Sequence, residues 1–375
     1  MITVPAVEDR YDRQRRITWW DQDVLAAARV LVVGAGALGN ELLKNLVLLG
    51  VGHVTVIDLD TIEPSNLARC ALFRDADAGA AKAVVAARRA AELNPQVEVV
   101  GRFGSVMAVG LGELRDFDLV IGGLDNREAR AWVNQACRKL RLTWVDGAIE
   151  GLRGIVRAFP PDGACYECTL GEVDREILAR RQSCALLTSD EMAGGKVPTT
   201  ASSAAVVAGI QVQEAVKLLH GRHDLLALAN KAFIYLGETL ETYLVSYSED
   251  PDCLVHDTYD GITPVLAGGD LTLADLAALH TAPGDALAID FESELVAAAS
   301  CGCGDGREIG RFVHALTPAD VRCSCGSMPR LDARRSVAPD DPWALRSIRA
   351  LGLADRDVVT VRTADRRWHY EVALR

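Results

Sequence analysis

Apolar residues arrive along this chain first as short unbroken runs and then, between those runs, at helical spacing. The run at 30–33, VLVV, leads into Gly34, Ala35, Gly36, Ala37, Leu38 and Gly39, and apolar positions then recur at helical spacing as far as Leu49. This is the pattern of a strand, a glycine turn and a helix. Runs at 54–59, 97–102 and 118–122 predict three more strands, and the stretches 78–93 and 129–140 predict helices that alternate with them. Such alternation predicts a Rossmann-like α/β fold, a mostly parallel sheet with flanking helices.

Beyond Gly151 the pattern changes to hairpin-like strands, a Cys-rich turn and a long helical segment at 204–219, and 230–248 reads as strands again. The polar sequence SEDPD at 248–252 marks a turn, and the Gly-rich stretch 261–270 reads as a linker. The expected organisation is therefore a large domain over residues 1–261 and a small Cys-rich α+β module over 262–375. In that module a helix is expected at 273–279 and a terminal hairpin from strands at 358–362 and 368–374 around the Ala364-Asp365 turn. A chain of 375 residues has room for both, since single cores stop growing beyond about 250 to 300 residues.

Composition narrows the function. A formal charge of -12 opposes broad binding to a phosphate backbone, so nucleic acid is not an expected partner. The first residues, MITVPAVEDRYDRQRR, lack an apolar core of signal-peptide length. No later run reaches the roughly 18 apolar residues that span a bilayer, so no membrane is expected and the cytoplasm is the expected location. Ten cysteines at C-x2-C and C-x-C spacings in such a chain point to metal or thiol chemistry rather than disulfides.

Gly34, Gly36 and Gly39 form a G-x-G-x-x-G turn after a strand, where backbone N–H groups and a helix N-terminus can receive a phosphate. Asp58 ends the second strand 24 residues after Gly34 and can bond a ribose hydroxyl. To this point an NAD-dependent oxidoreductase fits equally well. The polar set Asp60, Asn66, Arg69 and Lys82 favours transfer at phosphorus, because adenylation develops negative charge on the α-phosphate and on departing pyrophosphate. Asp125, at the carboxyl end of the fourth strand, stands where open α/β sheets bind ligands and can hold Mg2+.

The segments RYDRQ (10–14), VLVVGAGALGNELLKNL, VIDLDTIEPSNLAR, GAAKA and GLDNREARAWVN occur in the order and spacing of the ubiquitin-activating-enzyme-like superfamily, which includes the ThiF and MoeB adenylyltransferases. The resemblance covers roughly residues 9–256. It implies ATP on the glycine turn, Asp58 on ribose, Asn66, Arg69 and Lys82 around the phosphates, and Asp125 on Mg2+. It also implies a homodimer in which Arg13 reaches the nucleotide site of a partner subunit. The substrate implied is the C-terminal carboxylate of a small ubiquitin-like or sulfur-carrier protein ending in Gly-Gly; a short peptide or a tRNA-linked carboxylate is the alternative within the class. One departure is Cys70, which follows Arg69 where the superfamily usually has Gln and which reads as structural.

The remaining cysteines divide into a metal site, a thiol and a second cluster. Cys165 and Cys168 form a C-x2-C turn, and members of the superfamily carry a second pair after the last strand of the domain. Here Cys253 and His256 occupy that place, completing a Cys3His set suited to structural Zn2+. Cys184, sixteen residues beyond Cys168, resembles by position the thioester cysteine of the superfamily, with Arg180 and Arg181 near it in sequence. A buried, inert thiol is the competing reading. Cys301, Cys303, Cys323 and Cys325 make two C-x-C-G pairs that suit a second zinc site, with a redox pair as the alternative. The position of their module suggests that it recruits a partner.

Overall fold

Val30, Leu31, Val32 and Val33 have no face to give to water. Each is at most 2% exposed in the computed structural model, which describes residues 8–171, 198–268, 270–280 and 285–374. The strand they form, β1 (Arg29–Val33), accordingly lies inside a sheet. The other strands of this sheet are β2 (His53–Asp58), β3 (Glu98–Phe103), β4 (Leu119–Gly122), β5 (Trp144–Glu150), β6 (Arg153–Phe159), β7 (Lys231–Leu236) and β8 (Glu241–Ser246). Their order is β3-β2-β1-β4-β5-β6-β7-β8. Pairing is parallel from β3 to β5 and antiparallel from β5 to β8. The order reverses between β1 and β4, and the loops leaving those two strands flank the crevice where ligands of open sheets bind.

Helices Ala37–Leu49, Lys82–Leu93 and Ala201–Leu219 pack their apolar stripes into the core of this unit, with Leu42, Leu43, Leu46, Ala86, Val207 and Ala215 closed off from solvent or nearly so. The helix expected over 78–93 starts only at Lys82. Gly79 sits at φ +83°. Ile62 N–H donates to Ala80 O and Gly79 N–H to Ile62 O, both at 2.8 Å, so the backbone groups before Lys82 are committed to the segment after β2. Among the described residues no helix is long and apolar enough to cross a membrane.

The described residues form two compact units, the first running through Val106, from Asp116 to Leu170 and up to His256. The second begins at Asp257 and includes the short segment Met107–Arg115. Its sheet contains β9 (Ile262–Ala267), β10 (Ala288–Ser300), β11 (Gly306–Phe312), β12 (Arg330–Val337), β13 (Asp357–Arg362) and β14 (Arg367–Leu374). The order is β11-β10-β13-β14-β9, with β12 also paired to β10. β13 and β14 form the expected hairpin, closed by Thr363 N–H donating to Arg366 O at 2.9 Å. The Gly-rich stretch read as a linker instead holds β9, which pairs in parallel with β14. β9 is an edge strand, where Pro264 leaves no ladder donor missing from the sheet interior. Leu273, Leu276, Ile289, Leu295, Phe312, Ile348, Leu351, Val359 and Tyr370 fill the core of this unit.

The segment Met107–Arg115 joins that core through the short helix Leu111–Leu114, which packs on β13. Leu111 N–H donates to Asp357 Oδ1 at 3.2 Å, Arg356 Nη2 to Gly112 O at 2.9 Å, and Arg115 Nη1 to Glu371 Oε2 at 2.7 Å. Asp357 is buried, and loss of solvation pushes its carboxyl up to about 7 against the two backbone N–H groups that it accepts, with Glu292 adding to the rise. A carboxyl raised in the folded state holds a proton that the unfolded chain has lost above about pH 4, so folding becomes less favourable as pH rises from there through 7. Asp357→Asn keeps the acceptor and removes the charge. Native-state amide exchange of β13 is expected to show the variant matching the unchanged chain at pH 4.5 and better protected at pH 8; equal protection at both would refute the charged, buried carboxyl.

Candidate functional site

The turn after β1 is shaped by what lies beside it. Gly34 has φ +97°, and a Cβ there would lie 2.5 Å from Gly123 O. A Cβ on Gly39 would lie 1.9 Å from Gly34 O, so both glycines are required by close backbone approach. Gly36 differs, since a Cβ there would meet no atom within 4 Å. Gly36 also caps the helix Ala37–Leu49 without a side-chain bond, which leaves an open N-terminus beside free space. Asn40 is fully buried in the first turns of that helix and holds the loop from inside. Its Nδ2 donates to Ala35 O at 2.8 Å and to Gly36 O at 3.0 Å, while its Oδ1 accepts Leu72 N–H at 2.9 Å.

Asp58, the last residue of β2, accepts Ala35 N–H on Oδ2 and Asp60 N–H on Oδ1, each at 2.7 Å. Burial nonetheless raises its carboxyl above the ordinary value, with those two bonds and Lys82 opposing the rise. Lys82 opens its helix and places Nζ 2.8 Å from Asp60 Oδ2. Burial works against its charge, but the bond to Asp60 and the fields of Asp58, Asp60 and Asp125 prevail and raise the ammonium. Lys82 is therefore a fixed cation among three carboxylates, and Asp125 itself is exposed after β4. Arg69 directly precedes Cys70, a thiol that the fields of both Arg69 and Lys82 reach. Its Nη1 donates to Ser65 O at 2.6 Å.

Asn66 is buried, and its Oδ1 accepts Glu63 N–H at 2.9 Å, closing a capping box on the turn Pro64–Asn66. Burial pushes the Cys70 thiol up to about 11, as befits a structural cysteine. The structure thus gathers Gly34, Gly36, Gly39, Asp58, Asp60, Lys82 and Asp125 around the carboxyl ends of β1, β2 and β4. Arg13 is in the N-terminal segment, with its side chain 78% exposed and its guanidinium 3.6 Å from Glu8. Cys184 lies outside the described residues, as do Arg180 and Arg181.

Cys165, Cys168, Cys253 and His256 converge with their ligand atoms all within 4.8 Å of one another. Cys165 Sγ lies 3.7 Å from both Cys168 Sγ and Cys253 Sγ, and Cys168 Sγ lies 3.2 Å from His256 Nε2. A tetrahedron built on zinc–sulfur bonds of about 2.3 Å has edges near ~3.8 Å, so these separations would accept zinc. His256 Nδ1 faces Glu249 Oε1 at 3.1 Å, which would leave Nε2 free to point at a metal and the carboxylate to orient the ring. In the second unit Cys301 Sγ lies 3.6 Å from Cys325 Sγ, and Cys303 Sγ lies 3.4 Å from Cys323 Sγ.

A buried ion cluster that the sequence reading did not single out supports the loop carrying Asp125. Asp146, in β5, is fully buried, with Oδ1 3.0 Å from Arg130 Nε and Oδ2 2.5 Å from Arg157 Nη2. Arg130 Nη2 also donates to Leu124 O and, at 3.2 Å, to Gly147 O. Gln211 Nε2 donates to Gly122 O at 2.8 Å. The available signal was a charged residue four positions into the helix that follows GLDN, on its buried face. Burial opposes ionisation of Asp146, but Arg130 and Arg157 outweigh it and lower its carboxyl. That stabilisation is complete above the unfolded value of about 3.9 and is lost as pH falls below it. Asp146→Asn is expected to cost about 3–5 kcal/mol by stranding two arginines. Denaturant unfolding at pH 7 measures the loss, and the difference between variant and unchanged chain should shrink in an acid titration.

The ThiF family model matches residues 11–255. Among curated relatives, the NEDD8-activating enzyme E1 catalytic subunit of Saccharomyces cerevisiae is 41% identical over 152 residues, covering 38% of this chain and 51% of that protein. The SUMO-activating enzyme subunit 2 of Dictyostelium discoideum is 39% identical over 149 residues, covering 39% of this chain and 22% of that protein. The chain spans about half or less of the length of these relatives. Among solved structures, E. coli MccB with ATP is 22% identical at a TM-score of 0.54, covering 66% of this chain and 75% of that one. The microcin C7 biosynthetic enzyme MccB with N-formylated MccA is also 22% identical, at a TM-score of 0.55, covering 66% and 75%. These likenesses establish a shared fold. The match over residues 11–255, on a sheet that reverses its strand order beside an open glycine turn, places this chain in the ThiF family.

Proposed function

We propose that this protein is an adenylating enzyme that uses ATP to activate the C-terminal carboxylate of a small ubiquitin-like or sulfur-carrier protein ending in Gly-Gly. The observation that carries the reading is the union, in a ThiF-family chain, of the open turn at Gly36 with Lys82 held by Asp60 and with Asp125 at the reversal of strand order. An oxidoreductase explains the turn and Asp58 but has no use for that charged group. The relatives named as NEDD8- and SUMO-activating enzymes support the same class.

In the proposed reaction a carboxylate oxygen forms a bond to the α-phosphorus, the bond from that phosphorus to the bridging oxygen breaks, and pyrophosphate leaves with the electron pair. The attacking group is already ionised at neutral pH, so no general base is required. The chain's task is to position the reactants and to meet the charge on phosphate. The glycine turn would present backbone N–H groups to phosphate, Asp58 would accept from ribose, and Lys82, Arg69 and Asn66 would line the phosphates. Asp125 would hold Mg2+, which when bound supplies positive charge to the phosphate oxygens. In a homodimer Arg13 would act on the partner's nucleotide. Cys184 would then take the acyl group as a thioester, expelling AMP, and the second unit would recruit the carrier or an acceptor. Cys165, Cys168, Cys253 and His256 would hold zinc as a structural clip.

Carrier-dependent exchange of labelled pyrophosphate into ATP tests the first step. Asp125→Ala and Lys82→Ala should each lower exchange by roughly a hundredfold or more. Cys184→Ser should keep exchange and lose a thiol-sensitive adduct with the carrier. Mixing the Arg13→Ala and Asp125→Ala proteins should restore part of the rate if Arg13 acts across a dimer. No exchange with Gly-Gly-ending proteins, short peptides or aminoacyl carboxylates, together with saturable binding of NADH, would overturn the reading.

A further inference from the structure

The two C-x-C-G turns of the second unit fold alike, although one follows β10 and the other precedes β12. In the first, Cys301 N–H donates to Asp305 O at 2.8 Å and Gly304 N–H to Cys301 O at 3.0 Å. In the second, Cys323 N–H donates to Ser327 O at 3.1 Å and Gly326 N–H to Cys323 O at 2.9 Å. Gly304 and Gly326 take φ of +94° and +86°, the left-handed conformation that explains why glycine follows each second cysteine. Both turns therefore present a pair of thiols in the same way, and the pairs face each other.

The four sulfurs all lie within 4.8 Å of one another, a convergence of soft ligand atoms that a single cation at their centre would satisfy. Cystine would need pairs of sulfurs at about 2.05 Å. The nearest pairs instead stand at 3.6 and 3.4 Å, close to the edge length of a metal tetrathiolate. Apolar packing contributed by the same elements is small, with Val296, Leu316 and Val321 as its buried members. A crosslink there would add to that small cluster.

We propose that Cys301, Cys303, Cys323 and Cys325 bind one zinc ion as a closed tetrathiolate that joins the two turns. The set offers four soft ligands and leaves no position for a water or substrate, which marks a structural centre. It lies outside residues 11–255, the part of the chain that the family match covers. Occupancy is independent of whether the first unit adenylates anything.

The test uses the full chain, purified without chelator, with metals measured by mass spectrometry. Cys303→Ser with Cys325→Ser, both at exposed positions, should lower zinc by one equivalent per chain. Cys165→Ser with Cys168→Ser serves as the control for the other cluster. The comparison is a difference, so it holds whatever the first cluster contains. If the double variant is insoluble, the unchanged chain answers instead through alkylation mapped by peptide mass spectrometry. All four thiols should be protected until a chelator is added, and cobalt exchange should give the intense visible bands of tetrahedral thiolate ligation. Zinc unchanged in the soluble double variant, alkylation indifferent to chelator, recovery of the cysteines as disulfide-linked peptides, or iron in place of zinc would each overturn the proposal.

Discussion

The carboxylate of Asp146, closed off from water between Arg130 and Arg157, is the contact on which the geometry of the first unit turns. It stands on the strand where parallel pairing gives way to antiparallel. Arg130 extends the contact to Leu124 O, one residue before Asp125. Such a cluster adds little net stability, because desolvating three charged groups consumes most of what their attraction returns. Its value is positional. A loop held by a buried guanidinium and by Gln211 is tied to the sheet, and Asp125 takes its position from groups that are themselves buried.

The glycine turn acts by a related logic with no charges at all. Gly34 and Gly39 permit backbone to approach backbone, Asn40 fastens the loop from the protein side, and Gly36 leaves the outer side open. One side of the loop is thus saturated with partners and the other is kept bare. This is how a rigid receptor for phosphate is obtained from residues almost without side chains.

Much of this was legible in the chain. Buried parallel strands show as continuous apolar runs, so β1, β2 and β4 were readable from 30–33, 54–59 and 118–122, and the turn from its glycines. β5 was not, because Asp146 and Gly147 interrupt its apolar run, and it is the burial of that aspartate that matters. Gly-rich spacing at 261–270 suggested a linker, whereas β9 is fixed by pairing with β14, a partner more than a hundred residues away that no local window contains. The cysteine sets were readable as ligand types, and it was the family resemblance rather than any local pattern that joined Cys165 and Cys168 to Cys253 and His256, since Cys165 and Cys253 are 88 residues apart. Asn40 and Arg130 stayed hidden because a polar residue on an amphipathic helix looks solvated until its face is known.

The small helix Leu111–Leu114 has a practical side. Its two leucines are 1% and 2% exposed as part of the second unit, yet they are encoded between β3 and β4. No single stop codon separates the two bodies. A gene ended near residue 256 would still translate this plug, now without the strand it covers, and would present bare leucine and the unpaired ends of Arg115 and Gly112 to the solvent. Such a shortened protein would report on stickiness and misfolding as much as on the lost module, so a clean dissection of the chain has to replace this insertion at the same time as it removes the tail.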